Sequence, residues 1–190
     1  MSFIIVHSGG TFSFGDRIAH NEVHLDDIAT ALAKQCRFNG HCKGYYSVAE
    51  HSILVSRLLE AEGLQMAGLL HDAHEAYVGD VVTPVKAQTR LHLVEAEIQE
   101  TIHRRTGLSH LNFLTAEAHA TIKRADQMAL CIEFRTLFGR MPVDLMGVYS
   151  ERWGKELPPK ELQPECLDWQ DARLAFIGRF TELSKERASA

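Results

Sequence analysis

The apolar positions of the chain change their period once, near the N-terminus. Phe3 to Val6 and Thr11 to Phe14 are short β-prone runs on either side of His7-Ser8-Gly9-Gly10, a turn-rich connection that predicts a small hairpin. Beyond it the spacing is helical. Asp26 or Asp27 is placed to cap a helix over Ile28 to Cys36, whose Ile28, Ala31 and Leu32 share one face. Arg37-Phe38-Asn39-Gly40-His41 breaks that pattern, with Gly40 giving the backbone its freedom. Ser47-Val48-Ala49-Glu50 has the form of a capping box, which puts His51 in the first turn of a second helix. Val48, Val55, Leu58 and Leu59 form its buried face, and Gly63 is expected to close it.

A third helix is predicted over Leu64 to Tyr77, apolar at Met66, Leu69 and Leu70 and stopped by Gly79-Asp80. A fourth runs from about Val85 to Arg105 on Leu91, Val94, Ile98 and Ile102 and ends at Gly107; a fifth spans about Thr115 to Phe138. Gly139 to Gln163 holds three of the five prolines and reads as a long loop, after which Asp168 can cap a last helix to about Ser184. With no repeat, low-complexity segment or linker, residues 1–190 read as one all-α domain, a helical bundle with a small N-terminal β-hairpin.

Composition narrows the class. A chain of 190 residues with 45% hydrophobic content can bury a core without disulfides or structural metals. A formal net charge of −5 argues against binding nucleic-acid backbones or anionic membranes, though a pocket with two or three placed cations can still take a small phosphorylated ligand. Cys36, Cys42, Cys131 and Cys166 form no C-x-x-C pair, and neither a signal peptide nor a transmembrane stretch is visible. The expectation is a soluble cytoplasmic protein with reduced thiols. Of eleven histidines, His7, His20, His24, His92, His103, His110 and His119 have no partner at ligand spacing and read as surface or structural residues.

Residues able to do chemistry concentrate between Arg37 and Lys86, most densely in His71-Asp72-Ala73-His74-Glu75. On a helix His71 and Glu75 share a face, as do Asp72 and Glu75, whereas the adjacent His71 and Asp72 diverge by about 100°. Spacing alone therefore does not bring His71 and Asp72 to one metal, and an amphipathic helix with a polar face is the plainer alternative. A zinc-protease motif fails because Val78 stands where its second histidine is needed. A phosphate-binding Gly-rich loop and a Gly-x-Ser-x-Gly elbow are also absent from the sequence.

Taken in order, Arg37-Phe38, Ser47-Val48-Ala49-Glu50-His51-Ser52, His71-Asp72-Ala73-His74-Glu75, Gly79-Asp80, Thr83-Pro84-Val85-Lys86 and Ile122-Lys123-Arg124-Ala125-Asp126 resemble the HD-domain phosphohydrolases. More narrowly, the chain is similar to their small bacterial 5′-deoxynucleotidases and to phage-type enzymes that remove triphosphate from dATP, over roughly residues 24 to 135. The resemblance implies that His51, His71, Asp72 and Asp126 converge on one divalent ion. Such a ligand set suits Mn, Co, Fe or Zn better than Mg.

It further implies Glu75 as the proton-handling residue, Asp80 beside the sugar 3′-hydroxyl, and Arg37 and Lys86 as phosphate cations. Phe38 stands where the deoxynucleotidases tend to carry tryptophan, a departure that bears on base or sugar packing; His41 and His74 receive no role. The expected activity is hydrolysis of a deoxyribonucleoside 5′-phosphate, with dATP and related deoxyadenosine phosphates favoured and the phosphate chain leaving as a unit. The alternatives are a 5′-deoxynucleotidase acting on monophosphates and a catalytically silent nucleotide-binding module. Family members often form homo-oligomers, and the same is expected of this chain.

Overall fold

A computed structural model describes residues 2–60, 62–108, 115–143, 146–153 and 158–189. Strands β1 (Phe3–Ile5) and β2 (Thr11–Ser13) pair antiparallel with Ile4 opposite Phe12, so the expected hairpin is present. Helices α1 (Leu25–Lys34), α2 (Val48–Leu58), α3 (Glu62–Leu69), α4 (Glu75–Val78), α5 (Thr83–Lys86), α6 (Leu91–Arg105), α7 (Ala116–Phe138), α8 (Met146–Trp153) and α9 (Trp169–Ser189) follow in that order. The fold is thus mostly helical with a two-stranded N-terminal hairpin. Among the described residues no helix is long and apolar enough to cross a membrane.

The core has two parts. Ile28, Leu32, Val48, Met66, Leu69, Ile98, Ile102 and Phe176 belong to the larger cluster, in which α9 returns from the C-terminal end to pack on α1, α2 and α3. Leu54, Val55, Leu58, Met128, Ala129, Ile132 and Tyr149 form a second cluster where α7 crosses α2 and α8 covers it. Helix α2 lies between the two, and its residues from Val48 to Leu58 are buried except Arg57. Burial on both sides leaves α2 little freedom to shift, which suits it to carry a functional side chain.

Several boundaries differ from the sequence expectation. Helix α1 starts at Leu25 after His24, not after an aspartate cap; Asp27 instead accepts hydrogen bonds from the Ser8 backbone N–H (2.6 Å) and hydroxyl (3.0 Å), tying the hairpin turn to α1. Gly63 does not close α2, which ends at Leu58, but falls inside α3. The predicted fourth helix is interrupted between Lys86 and Leu91, and Gly15–His20 adds a 3-10 turn that the sequence did not announce. The expected loop after Gly139 contains α8 and a 3-10 turn at Lys160–Leu162, because Tyr149 has a core to fill. The Asp168 cap holds, with Oδ1 accepting from the Asp171 N–H at 2.9 Å, but α9 continues past Ser184.

Candidate metal centre

The predicted helix over Leu64 to Tyr77 stops at Leu69 and resumes at Glu75, leaving His71 and Asp72 in a tight turn. Backbone bonds three residues apart, Ala73 N–H to the Leu70 carbonyl and Glu75 N–H to the Asp72 carbonyl, wind the segment more tightly than an α-helix. That winding sets neighbours about 120° apart and does not by itself bring them together; the side-chain positions do. In the turn His71 Nε2 lies 3.1 Å from Asp72 Oδ2, so the two neighbours point to one place.

Two other elements meet them there. The capping box forms at α2, with the Ser47 hydroxyl accepting from the Glu50 N–H at 3.2 Å and Glu50 Oε2 accepting from the Ser47 N–H at 3.4 Å. It fixes the first turn that carries His51, whose side chain is fully buried. Helix α7 contributes Asp126. His51 Nε2 is 3.5 Å from Asp72 Oδ2 and 3.3 Å from Asp126 Oδ1, while His71 Nε2 is 4.0 Å from the same Asp126 oxygen. The other Asp126 oxygen accepts from Lys123 at 2.6 Å.

The far nitrogen of each ring is already engaged. His71 Nδ1 is 2.8 Å from the Gly68 carbonyl, which can only accept, so that nitrogen carries the hydrogen. His51 Nδ1 is 2.6 Å from Glu133 Oε1, and both Nε2 atoms are buried without a well-formed hydrogen bond. Lone pairs of two imidazoles and oxygens of two carboxylates repel one another unless positive charge sits among them. Fixing Nδ1–H from behind is also how metal-bound histidines are oriented. His51, His71 and Asp72 therefore form a group that could hold a metal ion.

The charges around the group depend on one another. Burial and the Arg37 charge lower the His51 pKa, but the carboxylates of Glu133 and Asp126 overcome them and push it up to about 9. Burial raises the Asp72 and Asp126 carboxyls, yet the histidines hold both below the usual carboxylate range. The pocket thus favours anionic oxygens around a cation.

Glu75, on the first turn of α4, is 4% exposed, and its Oε2 has no hydrogen-bond partner. Burial first, then the charges of Asp72 and Asp80, push its carboxyl up to about 9. Gln35 staples this segment in place: its Nε2 donates to the Glu75 carbonyl at 2.9 Å and its Oε1 accepts from the Asp80 N–H at 3.1 Å. Gly79 makes the bend between them at φ 86°.

The two expected phosphate cations have protein partners. Arg37 Nη2 is 3.2 Å from Glu133 Oε2, and the nearby carboxylates outweigh burial to raise its pKa, although its buried Nε stays unpartnered. Lys86 Nζ is 2.8 Å from Glu95 Oε1. Phe38 adopts a left-handed backbone at φ 56° and packs on Phe134 and Phe138 of α7, with ring centroids at 5.6 and 5.1 Å. His41 is exposed, and His74 Nδ1 lies 3.1 Å from Gln99 Oε1.

A cavity of about 390 Å³ opens beside His71, Asp72 and Asp126, with Gln99, His103, His119, Ile122 and Lys123 on its walls. Sequence reasoning set His103 and His119 aside because their neighbours come from α6 and α7, far apart in the chain; His110 lies outside the described residues. It also missed Glu133 and Glu95. Glu133 did carry a signal, standing seven residues after Asp126 on the same face of α7 among the buried Met128, Ala129 and Ile132.

No protein-family model matches the chain. It is 38% identical over 128 residues to an uncharacterized protein of Rhodobacter capsulatus, covering 62% of this chain and 64% of that one. It is 36% identical over 138 residues to the uncharacterized protein YfdR of Escherichia coli, covering 72% of this chain and 73% of YfdR. Identity at that level across most of both proteins means that the chain belongs to the family of YfdR.

Proposed function

We propose that this protein is a metal-dependent phosphohydrolase of the HD-domain type, acting on deoxyribonucleoside 5′-phosphates, with dATP and related deoxyadenosine phosphates as its substrates. The observation that carries the reading is the pair of buried, unpartnered His51 and His71 Nε2 atoms facing Asp72 and Asp126. In this reading those four residues hold one ion of Mn, Co, Zn or Fe. Such an ion supplies Lewis acidity toward a phosphoryl oxygen and makes water a competent nucleophile at neutral pH.

The remaining roles belong to side chains around the ion. The Glu75 carboxyl, buried beside the ligands, donates a proton to the departing 5′-oxygen as the P–O bond breaks. Arg37 offers its unpartnered Nε–H to a phosphate oxygen, and Lys86 adds charge from α5. Asp80 accepts a hydrogen bond from the sugar 3′-hydroxyl, and Phe38 packs at the sugar or base.

Product analysis tests the proposal. The chain is stripped of metal, resupplied with Mn, Co, Zn or Mg, and offered dATP, dAMP and ATP, with His71→Ala as control. Metal-dependent release of deoxyadenosine and tripolyphosphate from dATP, lost in His71→Ala, is the expected result. Phosphate from dAMP alone moves the assignment to a 5′-deoxynucleotidase. Nucleotide binding without turnover replaces it with a silent binding module.

A further inference from the structure

Behind the candidate metal site, the Glu133 carboxylate is engaged through both of its oxygens. The residue is fully buried on α7, among the apolar Met128, Ala129 and Ile132. Its Oε1 accepts from the Tyr46 hydroxyl at 3.0 Å and lies 2.6 Å from His51 Nδ1; its Oε2 lies 3.2 Å from Arg37 Nη2. Tyr46, His51 and Arg37 come from three separate places: Arg37 follows α1, Tyr46 precedes α2, and His51 stands on α2. One carboxylate therefore locks all three to α7, the helix that also carries Asp126.

A buried carboxylate without partners is strongly destabilising, and an isoleucine or leucine would fill the same place at no electrostatic cost. The cost is offset here by three donors, two of which face the ion site. We propose that Glu133 is a positioning residue that fixes the ring of His51 and the guanidinium of Arg37 together. Its Oε1 holds Nδ1–H of His51 so that Nε2 presents its lone pair to the ion. Its Oε2 holds one end of Arg37, which turns the remaining N–H groups toward an anion beside that ion. The inference rests on the metal-site half of the proposed function and not on the identity of the substrate.

Two variants of the full chain separate this role from simple packing. Glu133→Gln keeps the shape but removes the charge and puts an amide donor where an acceptor is needed. Glu133→Asp keeps the charge and withdraws it by one carbon. The probe is Co(II) alone, titrated into the chelator-stripped chain and followed by its visible absorption, with far-UV circular dichroism as the check of fold. Loss of a carboxylate behind a ligating histidine lowers metal affinity roughly 10- to 100-fold, so Glu133→Gln is expected to bind Co(II) that much more weakly, with Glu133→Asp between it and the parent.

A folded Glu133→Gln protein that binds Co(II) within about twofold of the parent overturns the proposal by that same measure of a second-sphere partner. If Glu133→Gln does not fold, the parent chain decides. In its zinc-loaded form, nitrogen-15 NMR should find the His51 ring proton on Nδ1, and a proton on Nε2 overturns the proposal. None of these readouts needs a substrate, so an error in the assigned substrate leaves them unaffected. A parent chain that binds neither Co(II) nor zinc would defeat the metal-centre reading itself.

Discussion

At the scale of single residues, the unusual feature is how many buried ionisable groups face one another without their ordinary partners. Glu75 is the clearest case, since its carboxyl is pushed up to about 9 by burial and by the charges of Asp72 and Asp80. A folded-state pKa above the unfolded value means that Glu75 contributes stability fully present below about pH 4 and lost as the pH climbs toward 9. Glu75→Gln is neutral throughout and should escape that loss. In the metal-stripped chain the variant is expected to melt above the parent at pH 9 and level with it near pH 4, each kcal/mol appearing as about 2–4 °C. Equal melting temperatures at both pH values would show that Glu75 ionises as freely in the folded chain as in the unfolded one. The same residue is then a stability liability retained at the centre of the proposed site, as expected where chemistry sets the residue choice.

At the scale of elements, the site depends on how helices begin and end more than on their middles. His51 sits in the first turn of α2, so its position is set by the Ser47 and Glu50 pair. Ser47→Ala removes the hydroxyl that caps the Glu50 N–H and should cost about 0.5–2 kcal/mol, read as a lower urea midpoint with unchanged slope. An unchanged midpoint would mean that packing alone holds α2. The turn between α3 and α4 carries the other pair. Helical or 3-10 winding sends neighbours about 100–120° apart, yet the side chains of His71 and Asp72 bring their ligand atoms to 3.1 Å.

These elements also show how the sequence can be legible in part. The Ser47 to Glu50 motif could be read directly, because a capping box is a local contract between residues three apart. The break at Leu70 could not, because Met66, Leu69 and Leu70 continue the helical pattern, and Gly68 among them lies inside α3, where it lets Leu59 pack close, and not at its end. The turn is settled instead by contacts from outside the segment, including Gln99 Nε2 donating to the Leu70 carbonyl at 2.7 Å and Gln99 Oε1 accepting from the His74 N–H at 3.2 Å.

At the scale of the whole molecule, the site is assembled from segments between Arg37 and Glu133 but is supported from beyond them. Helix α9 lies outside the stretch that resembles the HD phosphohydrolases, yet Ala172, Phe176 and Leu183 are part of the main core under α1, α2 and α3. Phe176 is completely buried, and Phe176→Ala should destabilise the chain by about 3–5 kcal/mol in chemical unfolding. A cost under about 1 kcal/mol, less than that of most buried large-to-small changes, would mean that α9 is an appendage.

The helical class, the N-terminal hairpin and the cap of α2 were determined by the sequence itself, because each depends on residue type and short-range spacing, which a linear pattern preserves. His51, His71, Asp72 and Asp126 stood out only through the ordered motifs that resemble the HD phosphohydrolases. Only the tertiary structure decided that His71 and Asp72 point together, that Arg37 and Lys86 are paired with Glu133 and Glu95, and that Glu133 stands behind His51. Those facts join residues up to 96 positions apart, as in the Arg37 to Glu133 contact. Such pairings follow from how helices pack, and the low-dielectric interior that makes them matter exists only once the chain has folded.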